Sequence, residues 1–241
     1  MRWLAVVLGL WAVPATAKVS CADIDHEGRS YTACRVDVTT AELRLFYQDA
    51  NGDVIGSLRA IADQPGVAAV HFAMNAGMYH DDRSPVGHYV EDGNETMRVI
   101  TNAGPGNFGM LPNGVFCIHE DRVQIYETLR YVDRGPACRD ATQSGPLLVI
   151  DGALHPRFLP DSTSRFIRNG VGVNDAGTEA VFVISNDKVS FHEFGRFFRD
   201  HLGLPNALYF DWKVSRLYAP SLGRSDFGFQ LGPMVAVIEK G

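Results

Sequence analysis

The sequence predicts a single α+β domain with a mixed β-sheet core and a few flanking helices. Many short apolar runs are bounded by turn residues, and one stretch alone repeats at helical spacing. No internal repeat, low-complexity tract or linker divides the chain. With 241 residues, 46% of them hydrophobic and 21% charged, the chain can build a sizeable core and is too apolar for disorder. A formal charge of −6 argues against a general nucleic-acid binder.

Residues 1–17 read as a cleavable leader. Arg2 precedes an apolar run over 3–13, Pro14 breaks it, and Ala15 and Ala17 supply the small residues of a cleavage site. The run is too short to span a bilayer. A periplasmic or secreted domain over 18–241 is therefore expected, with no stable membrane insertion once the leader is removed. Export makes the cysteines interpretable. Cys21, Cys34, Cys117 and Cys138 allow three pairings, and Cys21–Cys34 with Cys117–Cys138 is the favoured one because each link closes a short loop.

The elements follow in chain order. Residues 35–38 and 43–47 alternate ahead of the turn at 49–52. Residues 67–74 form a mostly apolar strand running into Asn75-Ala76-Gly77. Residues 115–118 follow the turn Pro112-Asn113-Gly114, with 123–126 as a hairpin partner. Residues 147–150 end in Asp151-Gly152, and 181–184 make a buried strand. Phe191, Phe194, Phe198 and Leu202 recur at helical spacing until Gly203 and Pro205 stop the helix. Residues 207–210 then lead as a strand into Asp211.

Several familiar motifs can be set aside. Residues 104–109 match G-x-G-x-x-G but have no strand before them and no helical pattern after them. There is no Walker lysine, no G-x-S-x-G and no H-E-x-x-H. His80, Asp81, Asp82 and His88 are residue types that bind cations, yet they read better as a solvated loop after a strand. What remains is a set of polar residues among small ones at strand ends: Asn75, Gln143 with Ser144, Arg168 with Asn169, and Asp211. Glycine beside such residues lets backbone come close to a ligand, so a shared pocket is expected.

In order, the segments MNAGMY, GNFGMLPNGVFCI, ATQSGPLLVIDGALHP, RNGVGVN and NALYFD resemble the phosphodiester glycosidase family. The likeness spans about residues 70–240, and the chain resembles in particular a bacterial exported branch associated with exopolysaccharide. It implies an α+β fold and hydrolysis of a sugar-1-phosphodiester at the anomeric carbon. For that chemistry Arg168, with Arg165, is the expected phosphate cation. Asn75, Gln143, Ser144, Asn169 and the N–H of Gly145 supply neutral donors, and Gly77 leaves room beside them. Asp211 is the first candidate for the carboxylate that supports the anomeric centre, and Asp151 the second. The phosphate leaving group is a weak base, so a strong general acid is dispensable.

One stretch departs from the family pattern of small residues. Here Asp211 is followed by Trp212, Lys213, Val214, Ser215 and Arg216. Trp212 either fills part of the pocket or offers a sugar-stacking face, and Lys213 and Arg216 suit a more anionic substrate. The expected partner is a sugar phosphodiester or another anionic glycan of the envelope. The alternative is an inactive protein on the same scaffold that binds anionic glycans or serves envelope assembly. No cofactor is expected. Asp151, Asp211 and Asn75 are oxygen donors of the kind a divalent cation takes, but no spacing specifies a site.

Overall fold

A computed structural model describes residues 18–211 and 214–241. The leader expected over 1–17, together with Trp212 and Lys213, lies outside the described residues.

The expected single mixed sheet is replaced by three sheets, and every strand pairing in them is antiparallel. The first sheet runs Val19–His26, Arg29–Asp37, Glu179–Ser185, Asn169–Val173, Asn206–Asp211, Leu147–Ile150 and Ala153–Leu154. The second runs Arg224–Ser225, Leu217–Ala219, Val67–Asn75, Met234–Lys240 and Glu42–Phe46. In the third the order is Asn94–Met97, Tyr89–Glu91, Asp140–Ser144, Gly114–Ile118 and Val123–Glu127. Parallel neighbours need a crossover connection. The helical crossover after Glu179–Ser185 leads to Asn206–Asp211, but Asn169–Val173 lies between those two strands and is antiparallel to both.

Hydrophobic alternation marks most of these strands and misses some. Val19–His26 carries no apolar stripe, yet it pairs along its whole length with Arg29–Asp37. The two-residue turn between them, Glu27 and Gly28, has φ values of 49° and 71°, the positive pair a tight hairpin requires. Asn169–Val173 holds two glycines and is nonetheless central. A Cβ on Gly170 would stand 2.5 Å from the Leu208 carbonyl oxygen, and one on Gly172 would meet Leu204 and Phe198. Glycine here admits the next strand and the helix rather than a ligand.

The three sheets share one interior. Phe72 of the second lies 4.8 Å, ring to ring, from Phe182 of the first. Phe116 of the third is 5.9 Å from Phe182 and 6.4 Å from Phe210. Each such fully buried ring contributes roughly 2–3 kcal/mol. On the other face of the first sheet a capping box of Ser190 and Glu193 starts the helix Phe191–Arg196. The turn then widens, and Leu202 N–H donates to the Phe197 carbonyl five residues back, at 3.0 Å. Phe194, Phe197 and Phe198 are buried against Tyr31, Leu148 and Tyr209, while Phe191 and Leu202 are partly buried.

Cys21 and Cys34 face each other in the first hairpin and are joined, as are Cys117 and Cys138. The second link closes 21 residues around the helix Thr128–Arg134. Replacing Cys117 and Cys138 together by Ser is expected to lower the unfolding free energy by about 3 kcal/mol. Urea titration measures it, and an unchanged midpoint would refute a stabilising role.

Candidate active site

Asp211 ends its strand at the junction of the first and second sheets and is 7% exposed. Its backbone N–H donates to Asn169 Oδ1 at 3.2 Å. The Asn169 Nδ2 donates to Asn75, at 2.9 Å from the carbonyl oxygen and 3.1 Å from Oδ1. Asn75 Oδ1 also accepts the N–H of Arg216 at 2.9 Å. Ser215 Oγ lies 2.9 Å from the Asp211 carbonyl and 3.2 Å from Asn169 Oδ1. Four expected site residues, Asn75, Asn169, Asp211 and Ser215, thus converge. Asn75 and Asn169 are fully buried and hydrogen-bonded to the chain around Asp211. Ser144 joins through its hydroxyl, which donates to the Phe210 carbonyl at 2.8 Å.

Other expected residues have different employment. Gln143 Oε1 accepts the N–H groups of His88 and Ile100, at 3.1 and 3.0 Å. Its Nε2 donates to the Ile100 carbonyl at 2.7 Å and Thr128 Oγ1 at 3.1 Å. That carboxamide stitches the third sheet to its loops and has no capacity left for a ligand. Gly77 and Gly145 are close-approach positions. A Cβ at Gly77 would stand 2.7 Å from the Gln143 carbonyl oxygen, and one at Gly145 2.5 Å from Asn113 Cβ. Arg165 ion-pairs with Glu193 at 2.5 Å, on the residue that caps the helix.

Asp151 requires a correction. It occupies the turn after Leu147–Ile150 with φ 47°, its N–H donating to Asn206 Oδ1 at 3.0 Å. Asn206 begins the strand that Asp211 ends, so the two carboxylates are separated by about 17 Å at ~3.4 Å per residue. The Asp151 carboxylate is exposed and paired with Arg130 at 2.7 Å. An antiparallel neighbour necessarily carries its end to the far edge of the sheet, and that divides the expected oxygen set of Asp151, Asp211 and Asn75. Among the described residues no three His, Cys, Asp or Glu side chains cluster as metal ligands. His88, grouped above with His80–Asp82 by sequence, has its ring nitrogens 3.0 Å from the Met97 carbonyl and 2.9 Å from the Tyr131 hydroxyl.

Arg168 is 1% exposed. Its Nε donates to the Val189 carbonyl at 2.9 Å and its Nη2 to that of Ser164 at 3.2 Å. Its guanidinium lies 3.7 Å from the Phe191 ring centroid and 5.5 Å from that of Tyr209. Nη1 and the Tyr209 hydroxyl are buried, and the guanidinium interacts with the phenol. Burial lowers the Arg168 pKa and raises that of the Tyr209 phenol, which the Asp211 charge raises further. Direct phosphate contact by Arg168 does not fit this packing, because no part of the guanidinium faces solvent. Its charge lies behind Tyr209, which precedes Asp211 by two residues on the same strand.

Phe191 continues a stack through Phe158 to His155, with ring separations of 5.1 and 4.8 Å. The imidazole of His155 is pushed down to about 4, by burial first and then by Arg157.

Asp211 opens into a cavity of about 470 Å³ with Met78, Tyr79, Arg83, Val86 and Phe229 in its walls. Burial, and then the Asp211 charge, pushes the Tyr79 phenol up to about 12. Arg83 Nε is buried without a hydrogen-bond partner, and the buried Tyr79 hydroxyl has no acceptor for its proton. Phe229, at the rim, is 81% exposed, and Arg216 donates from its guanidinium to the Phe229 carbonyl. Sequence reasoning missed Tyr79, Arg83 and Phe229. The signal for the first was its place immediately after the Asn75 segment. A larger and shallower depression of about 790 Å³ lies beside the third sheet, where His88 is already bonded.

A buried strand-end carboxylate is thus held from behind and opens into a partly polar cavity. The chain belongs to the phosphodiester glycosidase family, whose sequence model matches residues 68–212. It is 34% identical over 219 residues to the uncharacterized protein YigE of Escherichia coli K12, covering 90% of this chain and 85% of that one. The catalytic domain of zebrafish N-acetylglucosamine-1-phosphodiester alpha-N-acetylglucosaminidase, auto-inhibited by its pro-peptide, shares the fold. The TM-score is 0.59 at 12% identity, over 92% of this chain and 82% of that one. A hypothetical protein from Synechocystis shares it with a TM-score of 0.60 at 14% identity, over 91% and 61% of the two chains.

The His155 ring leads to a pH prediction. Unfolded, the ring titrates near about 6.5. The folded value is lower, so the unfolded chain takes up the proton first and stability falls as pH drops from about 6.5 to about 4. The slope is at most about 1.4 kcal/mol per pH unit. His155→Gln is expected to remove that part of the slope, whatever it does to stability at pH 7. Denaturation midpoints of both proteins across pH 4–7 measure it, and parallel curves would exclude the effect.

Proposed function

We propose that the chain is an exported hydrolase that cleaves the glycosidic bond of a sugar-1-phosphodiester in envelope or exopolysaccharide glycans. The observation that carries this reading is Asp211, buried at the strand end and facing the cavity. As the bond from the anomeric carbon to the phosphate oxygen breaks, positive charge develops on the sugar, and a preset carboxylate stabilises it. Water completes the reaction, giving free sugar and a phosphomonoester. The departing phosphate needs little protonation, so the distance of Asp151 from the site is no obstacle. Arg168 adds positive potential from behind Tyr209 and favours the anionic substrate without touching it. Two disulfides suit a periplasmic or extracellular site of action.

Asp211→Asn is expected to lower kcat at least about 100-fold while substrate affinity changes little, because the carboxylate acts mainly in the transition state. The assay quantifies sugar and phosphomonoester released from a panel of sugar-1-phosphodiesters, with UDP-N-acetylglucosamine included. Release of sugar-1-phosphate would mean P–O cleavage and a different enzyme. Glycan binding without turnover by the wild type would identify an anionic-glycan binding protein.

A further inference from the structure

Between the Asn75 strand end and Val86 the chain folds back on itself. His80 N–H donates to the Ser84 carbonyl at 2.8 Å, Arg83 N–H to that of His80 at 2.9 Å, and Val86 N–H to that of Met78 at 3.0 Å. Arg83, near the tip, has φ 75°, a left-handed conformation that costs a residue with a Cβ about 1–2 kcal/mol. Glycine would relieve that strain, so an arginine held there points to a use for the side chain. The loop is also tightly seated. A Cβ on Gly232 would stand 2.5 Å from the Tyr79 ring and 2.7 Å from the Arg83 carbonyl oxygen.

The Arg83 side chain is anchored rather than free. Its Nη1 donates to the Asp81 carbonyl at 2.7 Å, and the guanidinium lies 5.7 Å from the Tyr79 ring centroid. Its Nε and the Tyr79 hydroxyl are nevertheless buried with no acceptor. Leaving a buried donor unsatisfied carries a penalty of about 1–3 kcal/mol each, which an incoming acceptor would relieve. Both residues line the same cavity as Asp211.

We infer that Arg83 and Tyr79 form the anion-holding subsite of this cavity, taking the non-bridging oxygens of a phosphodiester while Asp211 faces the sugar. The inference rests on the glycosidase reading and deepens it. Arg83 brings one positive charge to a cavity that Asp81 and Asp211 also line, so it suits the single negative charge of a diester better than a dianion. A phosphomonoester carries nearly two charges at neutral pH and would stand beside the Asp211 carboxylate, so the subsite selects diesters and releases the monoester product. Arg168, sealed behind Tyr209, cannot make this contact.

The test uses dimethyl phosphate, a monoanionic diester with no sugar, titrated into the protein and followed by NMR shift perturbation. Saturable binding that weakens about tenfold or more in Arg83→Gln, and several-fold in Tyr79→Phe, supports the subsite. Arg83→Lys should recover part of the loss. Circular dichroism and thermal midpoints establish that each variant is folded. No saturable binding by the wild type, or equal binding by Arg83→Gln, would overturn the subsite. The two readings fail separately. Loss of turnover in Asp211→Asn with an unchanged KM in Arg83→Gln would keep the glycosidase and remove the subsite. Arg83-dependent diester binding with no sugar release would keep the subsite and remove the glycosidase.

Discussion

The pairing of two buried carboxamides, Asn75 and Asn169, is the constraint on which the site depends. Asn75 ends a strand of the second sheet and Asn169 begins one of the first, and their bonds hold the two sheet ends at a fixed separation. The same pair orients the backbone of Asp211 through Asn169 Oδ1 and that of Arg216 through Asn75 Oδ1. A buried network of this kind is rigid because each broken link strands a donor or acceptor away from water, at about 1–3 kcal/mol.

Two arginines near that carboxylate illustrate how burial divides labour. Arg168 is enclosed by Phe191 and Tyr209, with two of its three nitrogens bonded to carbonyls. Removed from solvent, its charge is weakly screened and contributes potential over several ångströms. Arg83 is only half-buried and opens on the cavity, so it can form a bond as well as supply a field. The stack from His155 through Phe158 to Phe191 holds one wall of the Arg168 enclosure in place. The helix that carries Phe191 is itself fixed by the Ser190–Glu193 capping box, to which Arg165 is tied.

Much of the site was legible because strand ends are easy to read. Apolar runs closing on Asn75 and Asp211 placed both residues at sheet edges, and Asn169 and Ser215 stood next to equally clear signals. Gln143 and Ser144 looked equivalent to them, but a one-residue difference in strand phase sent the Gln143 side chain into loop bonding and the Ser144 hydroxyl towards Phe210. Gly77 looked like room for a ligand, yet a Cβ there would meet the Gln143 carbonyl oxygen at 2.7 Å. Arg83 was illegible because its meaning lies in a left-handed φ and a missing hydrogen bond, neither of which leaves a pattern in composition or spacing.

By itself the sequence determined most of the strands, the helical stretch over 191–202 and the family. These follow from local periodicity, turn chemistry and the order of short segments, which neighbouring residues largely decide. Only the tertiary structure decided that three antiparallel sheets replace a mixed one, that Asp151 lies at the far end of the strand from Asp211, and that Arg168 is sealed while Arg83 is open. Those outcomes depend on which distant strands become neighbours and on how much solvent reaches each side chain. Both are properties of long-range packing, which no local stretch of sequence encodes.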